Sequence, residues 1–316
     1  MAVRIEAYQP THLLQWDELV RRSKNATFLF RRQFMEYHAD RFVDASVLAY
    51  DGHKLLAAMP ASLHQTDSGP QVRSHGGLTY GGLFCDERMT ASTMLEVMTA
   101  VLEHYRVSGV KSVVYKPIPH IYHRLPAEED LYALFRVGGQ LVRRDVAASL
   151  DQGARPPITK GRKWATKQGI NNGITVGASQ DWGGFMAMEA ALLLEKYGTR
   201  PVHSADEMAL LHERFPQQVK LYTALHEGQL VGGTVIFDCD SCVHAQYISS
   251  TRHGRDLRAL DVLFQWLIDE VYADRRWFDF GISTEEAGRV LNAGLADNKE
   301  SWGARSVVYD HYHIPL

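Results

Sequence analysis

The chain states one αβ pattern twice, and a repeat of that length calls for a tandem pair of similar domains rather than one large irregular domain. In the first half, an apolar run broken by Asp51-Gly52-His53 (LAYDGHKLLAAMPASL) leads to Gly76-Gly77-Leu78-Thr79-Tyr80-Gly81-Gly82, then to an amphipathic helix near Ala91 to Ser108, then to Ser112-Val113-Val114-Tyr115. The second half repeats the order. Leu221 to Phe237 is broken by Glu227-Gly228-Gln229, a strand follows around Val243 to Ser249, then a helix from about Asp256 to Ala273, then Trp277-Phe278-Asp279-Phe280-Gly281. Each hairpin follows two short helices. In Pro10 to Arg22 and Arg31 to Phe42 apolar residues recur at helical spacing; the matching elements are Trp182 to Tyr197 and Ser204 to Phe215. Ser204-Ala205-Asp206-Glu207 fits a capping box, in which Ser and Glu satisfy each other's exposed amides. Ser149 to Lys160, with Gly153, Pro156, Pro157 and little periodicity, reads as a linker or loop. The expected domains are residues 1–150 and 151–316.

Composition limits what such a pair can be. With 316 residues, 45% hydrophobic and 22% charged, the chain is long enough for two cores of about 150 residues each and is neither disordered nor fibrous. No uninterrupted apolar stretch opens the sequence or approaches the ~20 residues of a membrane span, so a soluble, cytoplasmic protein is expected. Cys85, Cys239 and Cys242 do not make a disulfide framework, which fits a reducing compartment. A formal net charge of −3 argues against general nucleic-acid affinity and leaves local basic patches open. Asp279-Phe280-Gly281 spells the kinase metal-binding tripeptide, yet no glycine-rich nucleotide loop or HRD-type loop precedes it. Cys239-Asp240-Ser241-Cys242 has metal spacing, but no second Cys pair exists and the tetrapeptide falls where a hairpin turns. His120-x-x-His123 has no carboxylate in helical register with it, so no metal site is expected.

A hairpin, a further strand and a crossover helix is the order of the GNAT acyltransferase fold, and a tandem pair resembles the FemAB-like branch, which includes aminoacyl-tRNA-dependent transferases. Several strings carry the resemblance. Gly228 to Phe237 (GQLVGGTVIF) looks like the family's central hairpin, and Arg162-Lys163-Trp164-Ala165-Thr166-Lys167 resembles the basic helix before its second domain. Phe278 to Ser283, Leu291-Asn292-Ala293-Gly294-Leu295 and Lys299-Glu300-Ser301-Trp302-Gly303-Ala304-Arg305 are similar to its terminal strand, glycine-containing turn and closing helix end. The resemblance implies an α/β fold of two tandem GNAT-like domains, each a mixed, mostly antiparallel sheet flanked by helices.

It also implies acyl transfer by direct attack of an amine, without a covalent intermediate and with an acyl-CoA (acetyl-CoA) donor. One departure bears on that donor. The stretch Ser249 to Ala259 satisfies no register of the coenzyme A pyrophosphate motif, although Gly254, two hydroxyls and Arg252, Arg255 and Arg258 stand before a helix, where charge and N-terminal amides can hold phosphate. These residues, together with Gln246, Tyr247, Ile248 and Ser249 on the strand that would face the donor, are the candidate donor-binding set.

Acyl transfer to an amine needs positioning, a base and stabilisation of the oxyanion. Asp279, Glu285 and His244 are the candidate bases, from strand ends and the loop after them, and Tyr309 on the last strand is the candidate proton donor to a leaving thiolate, as the resemblance implies. His75 to Gly82, dense in glycine beside aromatic and hydroxyl groups, and the loop Lys116 to Arg124 suggest an acceptor pocket between the domains, with His75, Gly76, Tyr80, Lys116 and His120 as candidate contacts. Asn292 and Lys299 join them from the C-terminal strings. The acceptor implied is a small or sugar-linked amine, such as a cell-wall or polysaccharide precursor, bound by a monomer or homodimer. Three alternatives stay open: an aminoacyl-tRNA donor with a basic groove near Arg162 to Lys167, a non-catalytic binding protein with a degenerate GNAT fold, and an unrelated αβ pair.

Overall fold

The computed structural model describes residues 3–316, with the backbone alone at Tyr197. The chain divides into two compact units. The first comprises the residues through Val146 together with Thr284–Val290 and Val308–Leu316; the second comprises Ala147–Ser283 and Leu291–Val307. In chain order the strands are β1 Val3–Ala7, β2 Val43–Asp44, β3 Val47–Asp51, β4 Lys54–Met59, β5 Ser62–Thr66, β6 Gly69–Arg73, β7 Phe84–Cys85, β8 Ser112–Tyr115, β9 Gln140–Asp151, β10 Thr175–Ser179, β11 Val219–His226, β12 Gln229–Asp238, β13 Cys242–Ser250, β14 Trp277–Ile282, β15 Thr284–Glu285, β16 Val290–Leu291 and β17 Arg305–Pro315. The α-helices are α1 Leu13–Arg22, α2 Arg32–Met35, α3 Ala91–Val107, α4 Glu129–Arg136, α5 Lys160–Asn171, α6 Trp182–Tyr197, α7 Ala205–Arg214, α8 Arg252–Asp256, α9 Ala259–Trp266 and α10 Ala293–Glu300. The strands β9 and β17 each give residues to both units.

In the first unit β1, β3, β4 and β7 form an antiparallel sheet in that order. The β3–β4 hairpin turns at Gly52-His53, with Gly52 at φ 55°, a conformation glycine adopts without penalty. Helix α3 buries Met94, Val97, Met98, Val101, Leu102 and Tyr105, a 3.6-residue stripe, and starts where Thr90 accepts from the Thr93 amide. That stripe packs into a core with Ala57, Val72, Val113 and Ile314.

The second unit is built on β10, β11, β12 and β13, all antiparallel, then β14 running parallel to β13, then the end of β9. Two adjacent glycines show which helices cover which face. A Cβ on Gly232 would meet Leu260 and Ala259, whereas one on Gly233 would stand 2.8 Å from the Phe185 ring. Successive strand residues point to opposite faces, so α9 covers one face of β12 and α6 the other. The α9 side carries the core of Ile236, Val243, Leu263, Phe264, Phe278 and Trp302.

Several sequence expectations are corrected. The stretch Arg31 to Phe42 is not one helix: α2 stops at Met35 and a 3-10 turn ends at His38. The helix expected from Asp256 to Ala273 is broken at Arg258, which sits at φ 65°, and its last turn, Leu267–Val271, is π-helical. Ser149 to Asp151 is strand, paired with β14, because its apolar neighbours Ala148 and Leu150 belong to the core; only the residues after it are irregular. The capping box at Ser204 is formed: Ser204 Oγ accepts from the Glu207 amide at 3.1 Å and Glu207 accepts from the Ser204 amide at 2.8 Å.

Candidate active site

The cleft of the second unit begins where two strands part. Strands β13 and β14 pair through Cys242–Trp277, Val243–Phe278 and His244–Asp279, and no register pair joins them beyond that point. On either side the regular ladder is interrupted: β13 carries an extra residue between Ala245 and Tyr247 opposite β12, and β14 loses register with β9 after Asp279. Gly281, at φ 72°, turns the chain away there, a conformation disfavoured for other residues. Bulges of this kind bend strands and re-aim side chains, which explains the opening.

At the fork Asp279 is fully buried, and burial of a carboxylate demands partners. Its Oδ2 stands 2.8 Å from His244 Nδ1, while Oδ1 accepts from Ser149 Oγ at 2.8 Å and from the Gly281 amide at 3.0 Å. A carboxylate at Nδ1 fixes the proton there and leaves Nε2 as the basic nitrogen of the neutral ring. This is the geometry of a base held by an orienting acid. Lys299 reaches the same corner from α10, buried, donating to the carbonyls of Gly281 at 2.8 Å and Ile282 at 2.6 Å. Burial lowers its pKa to about 8, with Asp279 acting in the opposite sense.

Beyond the fork lies a cavity of about 360 Å³ lined by Lys299. Ile248, Leu260, Phe264, Phe280 and Trp302 give it an apolar floor, and Arg162, Lys196, Arg255 and Arg258 stand around it with Asp261 as the one acidic lining residue. Arg162 is part of the wall: it pairs with Asp261, donates to Ser301 Oγ and the Asn298 carbonyl, and lies 4.6 Å from the Trp302 ring. Arg255 donates to the Ser250 carbonyl at 3.0 Å. Arg258 holds a left-handed conformation that costs a non-glycine residue roughly 1–2 kcal/mol, and its guanidinium lies 5.8 Å from the exposed Trp164 ring. Gly254 has a packing role, since a Cβ there would fall 2.0 Å from the Val231 carbonyl oxygen, and its amide donates to Thr251 Oγ1.

The sequence-derived residues fall into distinct places. Ile248, Gly254, Arg255, Arg258 and Lys299 line the cavity, and His244 and Asp279 stand at the fork. Tyr247 and Ser249 point to the opposite face of β13, where the Tyr247 hydroxyl meets His203 Nδ1 at 2.6 Å. Gln246 occupies the bulge, with its buried Oε1 lacking a hydrogen-bond partner. Arg252 is exposed at the start of α8 and outside the cavity lining, and Asn292 caps α10 by accepting from the Leu295 amide.

The first unit holds the others. Lys116, buried, donates to the carbonyls of His75 and Leu78; burial lowers its pKa to about 7 and that of His75 to about 3. Gly76 lies against His64 and Phe42 too closely for any side chain, so its glycine serves ring packing. Tyr80 is buried and donates to Thr27 Oγ1. His120 and Glu285 are exposed, and the buried Tyr309 hydroxyl meets that of Tyr122 at 2.8 Å. Ser149, Leu192, Lys196, Phe264 and Trp302 are site residues that sequence reasoning missed; only the spacing of Leu192 and Lys196 on one helix face carried a signal. Among the described residues no group of three or more His, Cys, Asp or Glu is placed to hold a metal ion, and no helix is long and apolar enough to cross a membrane.

Residues 154–287 match the family described as Acetyltransferase (GNAT) domain. No curated protein matches the chain. Among solved structures, FemX is similar over 99% of this chain and 97% of its own, at 10% identity and a TM-score of 0.68. L-PGS from Bacillus licheniformis is similar over 98% and 93%, at 12% identity and 0.58. A tandem GNAT protein from the clavulanic acid biosynthesis pathway is similar over 99% and 98%, at 11% identity and 0.53. At such identities the likeness is one of fold.

Proposed function

We propose that the chain, whose residues 154–287 match the GNAT domain family and whose fold is similar to those of FemX and a tandem GNAT protein, is an N-acyltransferase passing an acyl group from a phosphate-bearing carrier to an amine of a small or sugar-linked acceptor. The supporting observation is the cleft itself: an apolar floor that suits an acyl chain, cations around it that suit phosphate, and a His–carboxylate pair at the fork beside the Gly281–Ile282 corner that anchors its lining residue Lys299. The amine nitrogen attacks the acyl carbon, the bond to the carrier breaks, and a proton passes from nitrogen to a base. His244, oriented by Asp279, is that base, and general bases contribute typically 10²–10⁴-fold. Lys299 places positive charge beside the reacting carbonyl and rigidifies the Gly281–Ile282 corner.

Acyl-CoA is the first carrier, held by Arg255 and Arg258 side chains, since the Gly254 amide is already engaged by Thr251. One observation favours aminoacyl-tRNA as a second reading. Helix α5 (KGRKWATKQGIN) contains no acid, carries Lys160, Lys163 and Lys167, and exposes Trp164 beside Arg258, and an aromatic ring among cations is what a nucleic-acid strand stacks and neutralises on. Incubating the protein with labelled acyl-CoA or with charged tRNA, plus a panel of amines, tests both. Amide formed from acyl-CoA supports the first, ribonuclease-sensitive amide the second, and binding of neither carrier would leave a non-catalytic protein.

A further inference from the structure

Helix α5 (KGRKWATKQGIN) stands between two hollows. Arg162 lines the cavity that holds Lys299, while Lys163, Thr166, Lys167 and Ile170, a stripe that begins about 100° around the helix, line an open groove of about 570 Å³ on its other flank. The facing wall of the groove is Pro156, Pro157 and Ile158, and it is held in place: a Cβ on Gly303 would fall 2.4 Å from the Pro156 carbonyl oxygen, and the Thr159 amide donates to the Ser301 carbonyl at 3.1 Å. The groove is aliphatic within and cationic at its rim. Ile170 is 59% exposed, Lys163 and Lys167 are exposed beside it, and α5 has no acid to pair with them. Asp269, the one acidic lining residue, is paired with Arg155. Trp164, exposed on the same helix, extends the basic face toward the cavity, because the Arg258 guanidinium lies 5.8 Å from its ring. An exposed apolar strip with a charged rim marks a surface that meets a partner.

We propose that this groove docks an acidic, helical carrier protein whose phosphopantetheine arm brings the acyl thioester into the cavity, a proposal that rests on the acyl-transfer function above and names its carrier. Three observations favour it. The stretch Ser249 to Ala259 satisfies no register of the coenzyme A pyrophosphate motif and its Gly254 amide is engaged by Thr251, so a pyrophosphate lacks its usual cradle of amides. A phosphopantetheine arm carries a single phosphodiester, which the Arg258 guanidinium suffices to pair. Aliphatic walls and lysines complement the apolar stripe and carboxylates of an amphipathic acidic helix, whereas no aromatic ring lines the groove for a base to stack on. Helix α5 with its side chains is about 10–12 Å across, so a carrier in the groove and its thioester in the cavity lie within the reach of one extended arm. The step balances. The acceptor amine attacks the thioester carbon, the C–N bond forms as the C–S bond breaks, and the proton taken by His244 passes to the leaving thiolate.

Calorimetry with the full chain compares an acyl carrier protein in its holo form, the same protein in its apo form without the arm, free phosphopantetheine, and a CCA-ended RNA hairpin. Two tethered contacts should make the holo form bind on the order of 10²-fold more tightly than the apo form or free phosphopantetheine. In Lys163→Glu/Lys167→Glu most of that advantage over free phosphopantetheine should be lost, and Ile170→Ser, which leaves the charges in place, should weaken the holo form severalfold. Holo binding no tighter than that of free phosphopantetheine, or undiminished in both variants, overturns the docking while leaving acyl transfer standing. Tighter binding of the RNA hairpin, abolished by the charge reversal, overturns it in favour of a nucleic acid on the same face. Holo and apo forms that bind alike, with no binding of phosphopantetheine, contradict delivery into the cavity and acyl transfer with it.

Discussion

His244 Nδ1 and Asp279 Oδ2 stand 2.8 Å apart at the last register pair that β13 and β14 share, so the pair marks the point where the sheet opens into the cleft. Asp279→Asn keeps the side-chain shape but removes the charge that fixes the His244 tautomer. We expect turnover to fall roughly 10²–10⁴-fold, with stability lowered by about 1–3 kcal/mol through the Ser149 and Gly281 bonds. Steady-state kinetics and thermal melts check both, and a wild-type rate would remove the pair from the mechanism.

Lys299 gives a stability difference with a defined sign. Its pKa is about 8 when folded and 10.5 when unperturbed. Below pH 8 both states are protonated and the penalty of burying the ammonium is present in full. Between pH 8 and 10.5 the unfolded chain binds more protons, so stability rises with pH. Relative to Lys299→Met, the wild-type protein should gain on the order of 3 kcal/mol across that window. Denaturant unfolding of both proteins at pH 7.5 and 10.5 measures it; parallel behaviour would mean that the ammonium is solvated.

Arg258 separates function from folding in one substitution. Its left-handed backbone favours glycine, so Arg258→Gly should leave stability unchanged or raise it by up to about 1 kcal/mol. Loss of the guanidinium should weaken carrier binding about tenfold. Carrier affinity equal to wild type in calorimetry would remove Arg258 from the donor site.

Two glycines make an opposed pair. Gly254→Ala drives a Cβ to 2.0 Å from the Val231 oxygen and should destabilise by about 3 kcal/mol. Gly161→Ala, in the first turn of α5 with open space around it, should stabilise by about 0.4–1 kcal/mol. Melting curves that rank the two in the reverse order would contradict the backbone placement of both.

The duplicated αβ order was legible because hairpins with Asp-Gly and Glu-Gly turns and helices with a 3.6-residue stripe carry local signals: β3–β4, β11–β12, α3 and the Ser204 cap all come from neighbouring residues. Strand β9 was missed because its end is stabilised by distant β14 rather than by local pattern, and the break at Arg258 because a non-glycine residue there gives no warning. Of the site, the cleft residues Ile248 and Lys299 were visible through family resemblance, and Arg255 and Arg258 through their charge before a helix, although their stretch satisfies no register of the motif. The His244–Asp279 contact was not visible as a pair, since only the parallel register of two strands brings residues 244 and 279 together.

Binding of a carrier to the second-unit cleft tests the proposed function most directly. Thermal shift of the wild-type protein and of Arg258→Gly would be measured with coenzyme A, acetyl-CoA, longer acyl-CoAs and a CCA-ended RNA. A ligand at 100 times its dissociation constant should add about 2.7 kcal/mol of stability. We expect such a gain with at least one carrier in the wild type and its fall to about 1.4 kcal/mol in Arg258→Gly, as a tenfold weaker dissociation constant requires; no gain with any of them would contradict the assignment of the cleft as a donor site.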